Sequence, residues 1–387
     1  MIVTQTVRLK LSVDEAQGSA LTETIRQYAV AFNAVAATGW KTKTTNGVKL
    51  HQQTYRSMRD ALDLPSQLVI SARMKAVEAL KSVRERAKQG RKVSCPKTEK
   101  SAVRFDARSF RLDWSGIVQL TVIGGRIKVP FLFDRHSETF KGFKTCSADL
   151  IKRSNGWFLH VVVAKEVAAY EDTGKAVGVD RGVKRPAVTS DGRFLGNPRW
   201  RAIEERLLAL RRRLQGKGTR SARRHLGRLN DRLARFRRDC DHVLSKRLVR
   251  SVSPGETLVF EDLTGIRDNA KARGRANRRR LHSWSFARLG SFVSYKAALR
   301  GVKIAKVDPM DTSRRCPTCG LIDKKNRRTQ NTFRCVRCGY ERNADLVGAW
   351  NIRDRYEGLW SPASKAPGPV NDPNVEKIVH FFTSPAL

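Results

Sequence analysis

Two pairs of cysteines near the C-terminal end constrain the fold of this chain more than any other feature. Cys316 and Cys319 form one Cys-x-x-Cys knuckle, and Cys335 and Cys338 form a second one after 15 intervening residues. A glycine follows each knuckle, so the backbone can turn and point its amides at the thiolate sulfurs. Paired knuckles at this spacing predict a tetrahedral four-cysteine site for one structural Zn²⁺, the pattern of a zinc ribbon. The alternative is two unrelated redox or structural cysteine pairs.

The charge of the chain indicates its partner. Its 387 residues include 77 Lys and Arg against 36 Asp and Glu, a net charge of +41. Such a charge repels itself and requires a polyanionic partner. Nucleic acid fits best, because Lys and Arg release counterions when they bind phosphates. A membrane surface is the rival partner, but there is no lipidation motif, no long apolar run and no signal peptide after Met1, so we predict no membrane association.

The remaining cysteines are scattered singly through the chain, at Cys95, Cys146 and Cys240. A disulfide framework of the secreted type would need pairs at regular spacing. The cysteine pattern therefore predicts a reducing compartment, the cytoplasm.

The first half of the chain alternates between strand and helix patterns. Residues 2–11 alternate apolar and polar side chains, which predicts a half-buried strand. Ser12 to Glu15 is a capping-box pattern, and the helix that it starts has one apolar face and is expected to break at Gly39. A second helix is predicted over residues 51–62. Ser66 is a possible cap for a third helix, whose predicted apolar face comprises Ile70, Met74, Val77 and Leu80.

Strand patterns follow from residue 103. Gly124-Gly125 and Asn155-Gly156 each separate two alternating apolar runs, which predicts two hairpins. If the first strand joins them, residues 1–12 and 100–170 form a small β-barrel. Residues 13–99 are then a helical excursion from that barrel.

Residues 200–250 are helical in pattern and strongly basic, with 17 Lys and Arg against five Asp and Glu. Gly216-Lys217-Gly218 divides the segment into two helices, and the first has an apolar stripe of four leucines: Leu207, Leu208, Leu210 and Leu214. The alternative is an ordinary solvent-exposed charged face. The excess of basic over acidic residues is, however, too large to be balanced by ion pairs between residues four positions apart. We therefore predict a phosphate-facing helical hairpin, followed by an Arg-rich loop over residues 267–280. The predicted nucleic-acid contacts in these two segments are arginines: Arg211, Arg212, Arg223, Arg224, Arg278 and Arg279.

Three acids lie in apolar surroundings at the ends of predicted elements. Asp180 and Glu261 each end a buried-looking strand, and Asp345 begins a helix. Any one of them alone could be a helix cap or an ion-pair partner. Together they predict one site, and clustered carboxylates would bind protons unless a cation held them. Two Mg²⁺ (or Mn²⁺) ions with oxygen ligands meet that need and can cleave phosphodiesters without a histidine base.

The motifs around these residues resemble the TnpB family, transposon-encoded RNA-guided nucleases related to type V CRISPR effectors. The similarity is firm over residues 176–352 and weaker before residue 150. The segments that carry it are VGVDRGV around Asp180, LVFEDL around Glu261, and CPTCG…CVRCGYERNADLVGAWNI with its connectors. Two departures are visible: Val347-Gly348 replaces a frequent Asn-Ala pair, and Arg181 is a variant. Because a small residue is kept at 348, we expect activity to survive.

This resemblance implies a multidomain α+β fold. Residues 171–312 and 341–357 would form an RNase H-like (RuvC) nuclease domain whose metal-binding carboxylates are Asp180, Glu261 and Asp345, with the zinc ribbon at 313–340. The barrel would be the wedge domain and residues 13–99 the recognition domain, with Tyr55 and Gln67 as candidate duplex contacts or else ordinary polar surface residues. Residues 358–387 are expected to be a flexible tail.

The function implied is an RNA-guided DNA endonuclease, with a transposon-end guide RNA and double-stranded target DNA as partners. Two alternatives from other classes are a guide-dependent repressor that binds DNA without cutting it and a metal-dependent transposase. A CRISPR-adapted effector is a further alternative within the same class.

Overall fold

The computed structural model describes residues 1–182, 185–264 and 286–360, and the chain divides into two compact units. The first unit is Ile2–Lys165, and the second comprises Met1 and the chain from Glu166 onward. The elements of the first unit, in chain order, are β1 Ile2–Leu11, α1 Glu15–Lys41, α2 Gly47–Ala61, α3 Ser66–Lys88, β2 Val103–Asp106, β3 Phe110–Asp113, β4 Ile117–Val122, β5 Gly125–Leu132, α4 Arg135–Glu138, β6 Lys144–Arg153 and β7 Gly156–Glu166.

The seven strands of the first unit form one sheet in the order β2-β6-β7-β1-β5-β4-β3. Both predicted hairpins are confirmed, as β4–β5 and β6–β7, and the first strand joins the two. The end strands β2 and β3 follow each other directly in the chain through a three-residue turn. The sheet is therefore a near-closed barrel, and its core is shared with the three long helices.

The helix ends of the first unit correct three predictions. Asp14, not Ser12, caps α1 and forms the capping box with Gln17. The helix continues past Gly39 to Lys41, because Gly39 is a packing residue: a Cβ there would lie 2.5 Å from Leu80 Cδ1. Helix α2 begins at Gly47, four residues earlier than predicted, with Asn46 as its cap.

Helix α3 differs from prediction in its cap and in its apolar face. It follows Pro65 without a side-chain cap, so Ser66 is its first residue and not its cap. Its buried face is formed by Leu68, Ala72 and Ala76 among others, whereas Met74 is 49% exposed. The alanines allow the close approach to α1 that longer side chains would prevent.

The described residues of the second unit form a five-stranded sheet, four helices and a small two-stranded sheet. Its elements are β8 Ala176–Asp180, β9 Ala187–Thr189, β10 Phe194–Leu195, α5 Pro198–Lys217, α6 Arg220–Arg250, β11 Thr257–Glu261, α7 Phe286–Arg300, β12 Lys303–Val307, a 3₁₀ turn Lys324–Asn326, β13 Thr332–Arg334, β14 Glu341–Asn343 and α8 Ala344–Tyr356. The large sheet has the order β10-β9-β8-β11-β12. Strands β8, β11 and β12 are parallel, and β9 is antiparallel to β8.

Helix α8 packs directly on β8. A Cβ at Gly178 would lie 2.1 Å from the carbonyl oxygen of Ala349, so only glycine permits this contact. The close approach brings the start of α8 to the end of β8, where the predicted acids lie.

Helices α5 and α6 form the predicted hairpin, joined at Gly218 with φ of 65°. Leu207 packs on Leu229 and Leu233, but Leu210 of the predicted stripe is 41% exposed. The start of the predicted tail is ordered, since Leu359 N donates to Asp354 O at 2.9 Å and Trp360 Nε1 to Asn351 O at 3.0 Å. The loop at 267–280 and the tail from 361 lie outside the described residues. In the described ranges we find no helix with the length and apolarity that a bilayer crossing requires.

Two candidate metal centres

The two cysteine knuckles come together in the second unit. Cys316 Sγ lies 3.7 Å from Cys338 Sγ, and Cys319 Sγ lies 3.5 Å from Cys335 Sγ. All four sulfurs lie within 4.8 Å of one another. A tetrahedron with Zn–S bonds of about 2.3 Å has edges of about 3.8 Å. The four-cysteine cluster predicted from the spacing is confirmed, and its dimensions fit a zinc ion.

The backbone builds the two knuckles in the same way. Gly320 N donates to Cys316 O at 3.0 Å and Gly339 N to Cys335 O at 3.1 Å, and both glycines have positive φ, 74° and 71°. The amide of Arg337 points at Cys335 Sγ, 3.4 Å away. Although burial acts in the opposite direction, such amide hydrogen bonds lower the pKa of Cys335 to about 6. A thiolate is therefore favoured at this position, as a metal ligand requires.

Asn326 holds the two knuckles together, and sequence reasoning missed it. Its side chain is fully buried and donates to Arg314 O at 2.9 Å and Leu321 O at 3.1 Å. Its Oδ1 accepts from Val336 N at 2.9 Å. One amide side chain thus joins the loop of the first knuckle to the second.

The three predicted acids meet at one end of the large sheet. Asp180 ends β8 and Glu261 ends β11, and these strands are parallel neighbours with Val179 opposite Phe260. Their C-terminal ends therefore lie side by side. Asp345 is the second residue of α8, and the Asn343 side chain caps that helix by accepting from Asp345 N at 3.1 Å.

The acids influence each other's protonation. Burial, followed by the charges of Glu261 and Asp345, raises the pKa of Asp180 well above its ordinary value. Burial also raises the pKa of Glu261, against a 2.5 Å hydrogen bond from Thr312 Oγ1. Both strand acids therefore bind protons more readily than isolated carboxylates do, which is the behaviour predicted for clustered carboxylates without a cation.

Three arginines to which the sequence assigned no role lie beside the acids, and they supply part of the positive charge that the carboxylates need. Arg327, from the loop between the knuckles, places Nη2 3.3 Å from Asp345 Oδ1, and Arg185 places Nη1 3.9 Å from Asp345 Oδ2. Arg181 Nη2 donates to Glu261 O at 2.8 Å while its guanidinium covers the Phe260 ring. The sequence offered one indication that Arg327 would lie near the acids. Arg327 lies between the two cysteine pairs, and a ribbon nested in the site places the loop between those pairs beside the acids.

The donor set at this end of the sheet suits hard divalent cations. It consists of carboxylate oxygens, which Mg²⁺ and Mn²⁺ prefer, and burial has already removed much of their water. Among the described residues, one group of three or more Cys, His or acidic side chains has all its ligand atoms within 4.8 Å of one another. That group is the four cysteines. The three carboxylates do not form a group as tight as the four cysteines.

The predicted nucleic-acid contacts remain predictions. Arg212, Arg223 and Arg224 are exposed on the helical hairpin and Arg211 is half-buried. Gln67 donates to the Asp106 carboxylate, and Tyr55 stacks on His51 with ring centroids 4.5 Å apart. Arg278 and Arg279 lie outside the described residues.

Two family models match this chain. Residues 160–264 match a family described as "Probable transposase", and residues 286–352 match "Cas12f1-like, TNB domain". Both matches fall in the part of the chain that holds the two centres.

Individual proteins also match parts of this chain. A CRISPR-associated endodeoxyribonuclease Cas12f1 of Sulfoacidibacillus thermotolerans is 35% identical over 222 residues, 52% of this chain and 50% of that protein. A TnpB-like protein of Methanocaldococcus jannaschii is 31% identical over 121 residues, 31% of this chain and 43% of that protein. The chain thus spans about half the length of the curated relatives that it matches. The resemblance to TnpB predicted from the motifs is confirmed.

The fold has a solved counterpart. The cryo-EM structure of a Cas12f1-sgRNA-target DNA complex matches with a TM-score of 0.67, covering 91% of this chain and 99% of that one at 14% sequence identity. At this identity the match concerns the fold, and it extends over both compact units.

Proposed function

We propose that this chain, a relative of the TnpB and Cas12f1 proteins over residues 160–264 and 286–352, is an RNA-guided DNA endonuclease. The observation that carries the proposal is the meeting of Asp180, Glu261 and Asp345 at the end of a mixed five-stranded sheet, beside a four-cysteine cluster. The DNA-cleaving relative supports the reaction class, and the net charge of +41 supports nucleic acid as the partner.

The second unit is then an RNase H-like (RuvC) nuclease domain. The support is its topology: an antiparallel meander β8-β9-β10 continued on the other side by parallel strands β11 and β12. Asp180 lies on the first strand, Glu261 on the fourth, and Asp345 on the helix that packs over the first. This is the strand, strand, helix order of carboxylates predicted from the motifs.

Asp180, Glu261 and Asp345 would hold the catalytic Mg²⁺ or Mn²⁺ ions. When bound, two such ions activate a water and stabilise the departing 3′ oxygen of the phosphodiester. The protein's part is to hold the carboxylates without water around them: Thr312 orients Glu261, and close packing of α8 on Gly178 sets the distance from Asp345 to Asp180. Arg327 and Arg185 lie where they can approach a phosphate anion that enters between the acids.

A bound guide RNA would supply sequence specificity by base pairing, while the protein recognises duplex shape and a short flanking motif. The solved counterpart is a complex with an sgRNA and target DNA, and the same kind of partners suits this chain. The zinc ion in the four-cysteine cluster would be structural, since all four positions of its tetrahedron are taken by cysteine.

The test begins with RNA that co-purifies with the full-length protein. It is sequenced, its variable end is replaced by a guide that matches a plasmid, and cleavage is measured with Mg²⁺. We expect cleavage of the matched plasmid and none of a mismatched one, and loss of cleavage with normal RNA binding for Asp180→Ala.

Two outcomes would contradict this function, and a third would contradict the site proposed for it. Guide-dependent binding that leaves the DNA whole would indicate a repressor. Strand-transfer products from transposon ends without bound RNA would indicate a transposase. Persistent cutting by Asp180→Ala would remove the carboxylate assignment.

A further inference from the structure

A cleft outside both metal centres lies between helices α6 and α7 of the second unit. Its volume is about 590 Å³, and its lining residues are Lys246, Val249, Arg250, Lys296 and Arg300. Two of the cations are four residues apart on α6 and two are four residues apart on α7, so each pair lies on one helical face. No carboxylate is among the lining residues, and we call this feature the cation cleft.

Helix packing does not explain the cation cleft. Elsewhere along the same two helices, Arg288 of α7 pairs with Asp241 of α6 at 2.6 Å, which is how a basic helix pair is ordinarily joined. At the cleft, by contrast, none of the four cations has a carboxylate within 4.0 Å in the described ranges of the chain. The charge of the cleft is therefore not neutralised by those parts of the protein.

Two of the cations are held in place by neutral groups. Lys296 Nζ donates to His242 O at 2.8 Å and to Ser245 Oγ at 2.6 Å. Arg300 Nη1 donates to Val249 O at 3.1 Å. Carbonyl and hydroxyl acceptors fix the position of a cation without cancelling its charge, so these side chains lose less freedom when an anion binds.

The partial burial of these neighbouring cations lowers the stability of the folded protein. Burial, and then the charge of Lys246, lower the pKa of Lys296 to about 8. Burial, and then the charges of Lys296 and Arg238, lower the pKa of His242 to about 4. A partly buried ammonium beside a second cation is unfavourable until an anion joins them.

We propose that the cation cleft binds the phosphodiester backbone of nucleic acid. The cleft is open and carries two rows of cations, which suits successive phosphates of a strand better than one small anion. The inference rests on the proposed function only for the choice of nucleic acid as the polyanion. Guide RNA and target DNA share this chemistry, and the experiment separates them.

The experiment removes the two exposed cations of α6, Lys246→Gln with Arg250→Gln, in the full-length protein. A matched control, Arg26→Gln with Lys88→Gln, also removes two exposed charges, but each of those is paired with an acid one turn away. Affinity for a fluorescent single-stranded RNA and for a single-stranded DNA of the same sequence is measured against salt concentration. Each phosphate contact to a single strand contributes about 0.7 to the slope of log affinity against log salt concentration. Loss of two contacts is therefore expected to reduce the magnitude of that slope by about 1.4.

The outcomes are distinct. A reduced slope on RNA alone assigns the cleft to the guide, and a reduced slope on DNA alone assigns it to the target. A slope equal to that of the control on both probes overturns the proposal. Guided cleavage is measured on the same preparations: a protein that never cleaves but shows the slope change refutes the endonuclease and keeps the cleft.

A second measurement follows the Lys296 ammonium by NMR of labelled lysine. Nucleic acid at saturation is expected to raise its pKa above about 8, with His242, Lys246 and Tyr295 as the neighbouring titratable groups. In the double variant the rise on binding should largely disappear. An ammonium whose pKa is unchanged by saturating RNA and DNA would also overturn the proposal.

Discussion

The two candidate metal centres lie in one compact unit but are built by opposite means. The cysteine cluster is local: its four ligands lie within 23 residues, and short turns with positive-φ glycines aim them at one point. The carboxylate cluster joins residues up to 165 positions apart, and only the sheet and the packing of α8 bring them together. In the cysteine cluster backbone amides lower the pKa of Cys335 while the pKa values of Cys316 and Cys338 are raised, whereas in the carboxylate cluster burial raises the pKa of both strand acids, Asp180 and Glu261.

This difference indicates separate roles. A site that is satisfied by its own backbone and ion can stabilise the fold, because binding energy there is folding energy. A site whose charges remain in conflict is less stable by itself but binds cations, and through them phosphates, more strongly. The following predictions test this contrast.

The largest effect is expected from Glu261→Gln, which keeps the shape of the side chain and removes its charge. Guided cleavage should fall on the order of 10³-fold, because several kcal/mol of metal-supported stabilisation of the transition state is lost. RNA affinity should stay unchanged. Asp262→Asn is the matched control, because Asp262 is the next residue but bonds to Thr264 and Lys306 instead. Equal losses in the two variants would contradict a role specific to Glu261.

Cys335→Ser should affect stability more than chemistry. Losing one of four thiolates is expected to remove zinc and to lower the free energy of unfolding by several kcal/mol, on the order of the metal's contribution in small zinc folds. Zinc content by mass spectrometry and melting temperature check this. Cys146→Ser, which alters an exposed cysteine outside the cluster, is the control. Normal zinc content in Cys335→Ser would refute the metal assignment.

Asp180 should make the metal-free protein sensitive to pH. Its pKa is raised in the folded state, so the folded state holds a proton that the unfolded chain releases above about 4. The contribution of Asp180 to stability is thus fully present below the unfolded pKa and is lost as pH rises through the folded pKa. In buffer without Mg²⁺ but with the zinc site loaded, Asp180→Asn should gain melting temperature relative to wild type as pH rises, and Mg²⁺ should remove the difference. A constant difference across pH would argue against the buried like-charge cluster.

The smallest effect is expected from Gly348→Ala, which restores the side chain frequent in the family. A Cβ there would lie 3.0 Å from Asp180 Oδ2, so the carboxylate must shift. We expect cleavage by this variant to require a higher Mg²⁺ concentration. Alanine has the higher helix propensity, but the free energy of unfolding should be about 1 kcal/mol lower than that propensity alone predicts. Gly227→Ala in α6, where a Cβ meets nothing within 4 Å, is the matched control and should gain stability. Equal gains in both variants would show that Asp180 has room to spare.

The sequence by itself determined the features whose causes are local. The cysteine spacing predicted the cluster and two-residue turns predicted both hairpins. Short apolar runs placed Asp180 and Glu261 at strand ends. Backbone turns and apolar patterns depend on near neighbours along the chain, so the sequence indicates them directly.

Only the tertiary structure decided the features that depend on packing between distant segments. Gly39 looked like a helix break but is a contact with Leu80, and Met74 looked buried but is exposed because alanines form the close face of α3. Arg327 became a neighbour of Asp345, and the cation cleft arose, because the fold placed cations from separate elements side by side. The spacing of residues along the chain does not indicate the distances between segments that are far apart in sequence. Steric fit and the pairing of buried charges determine those distances.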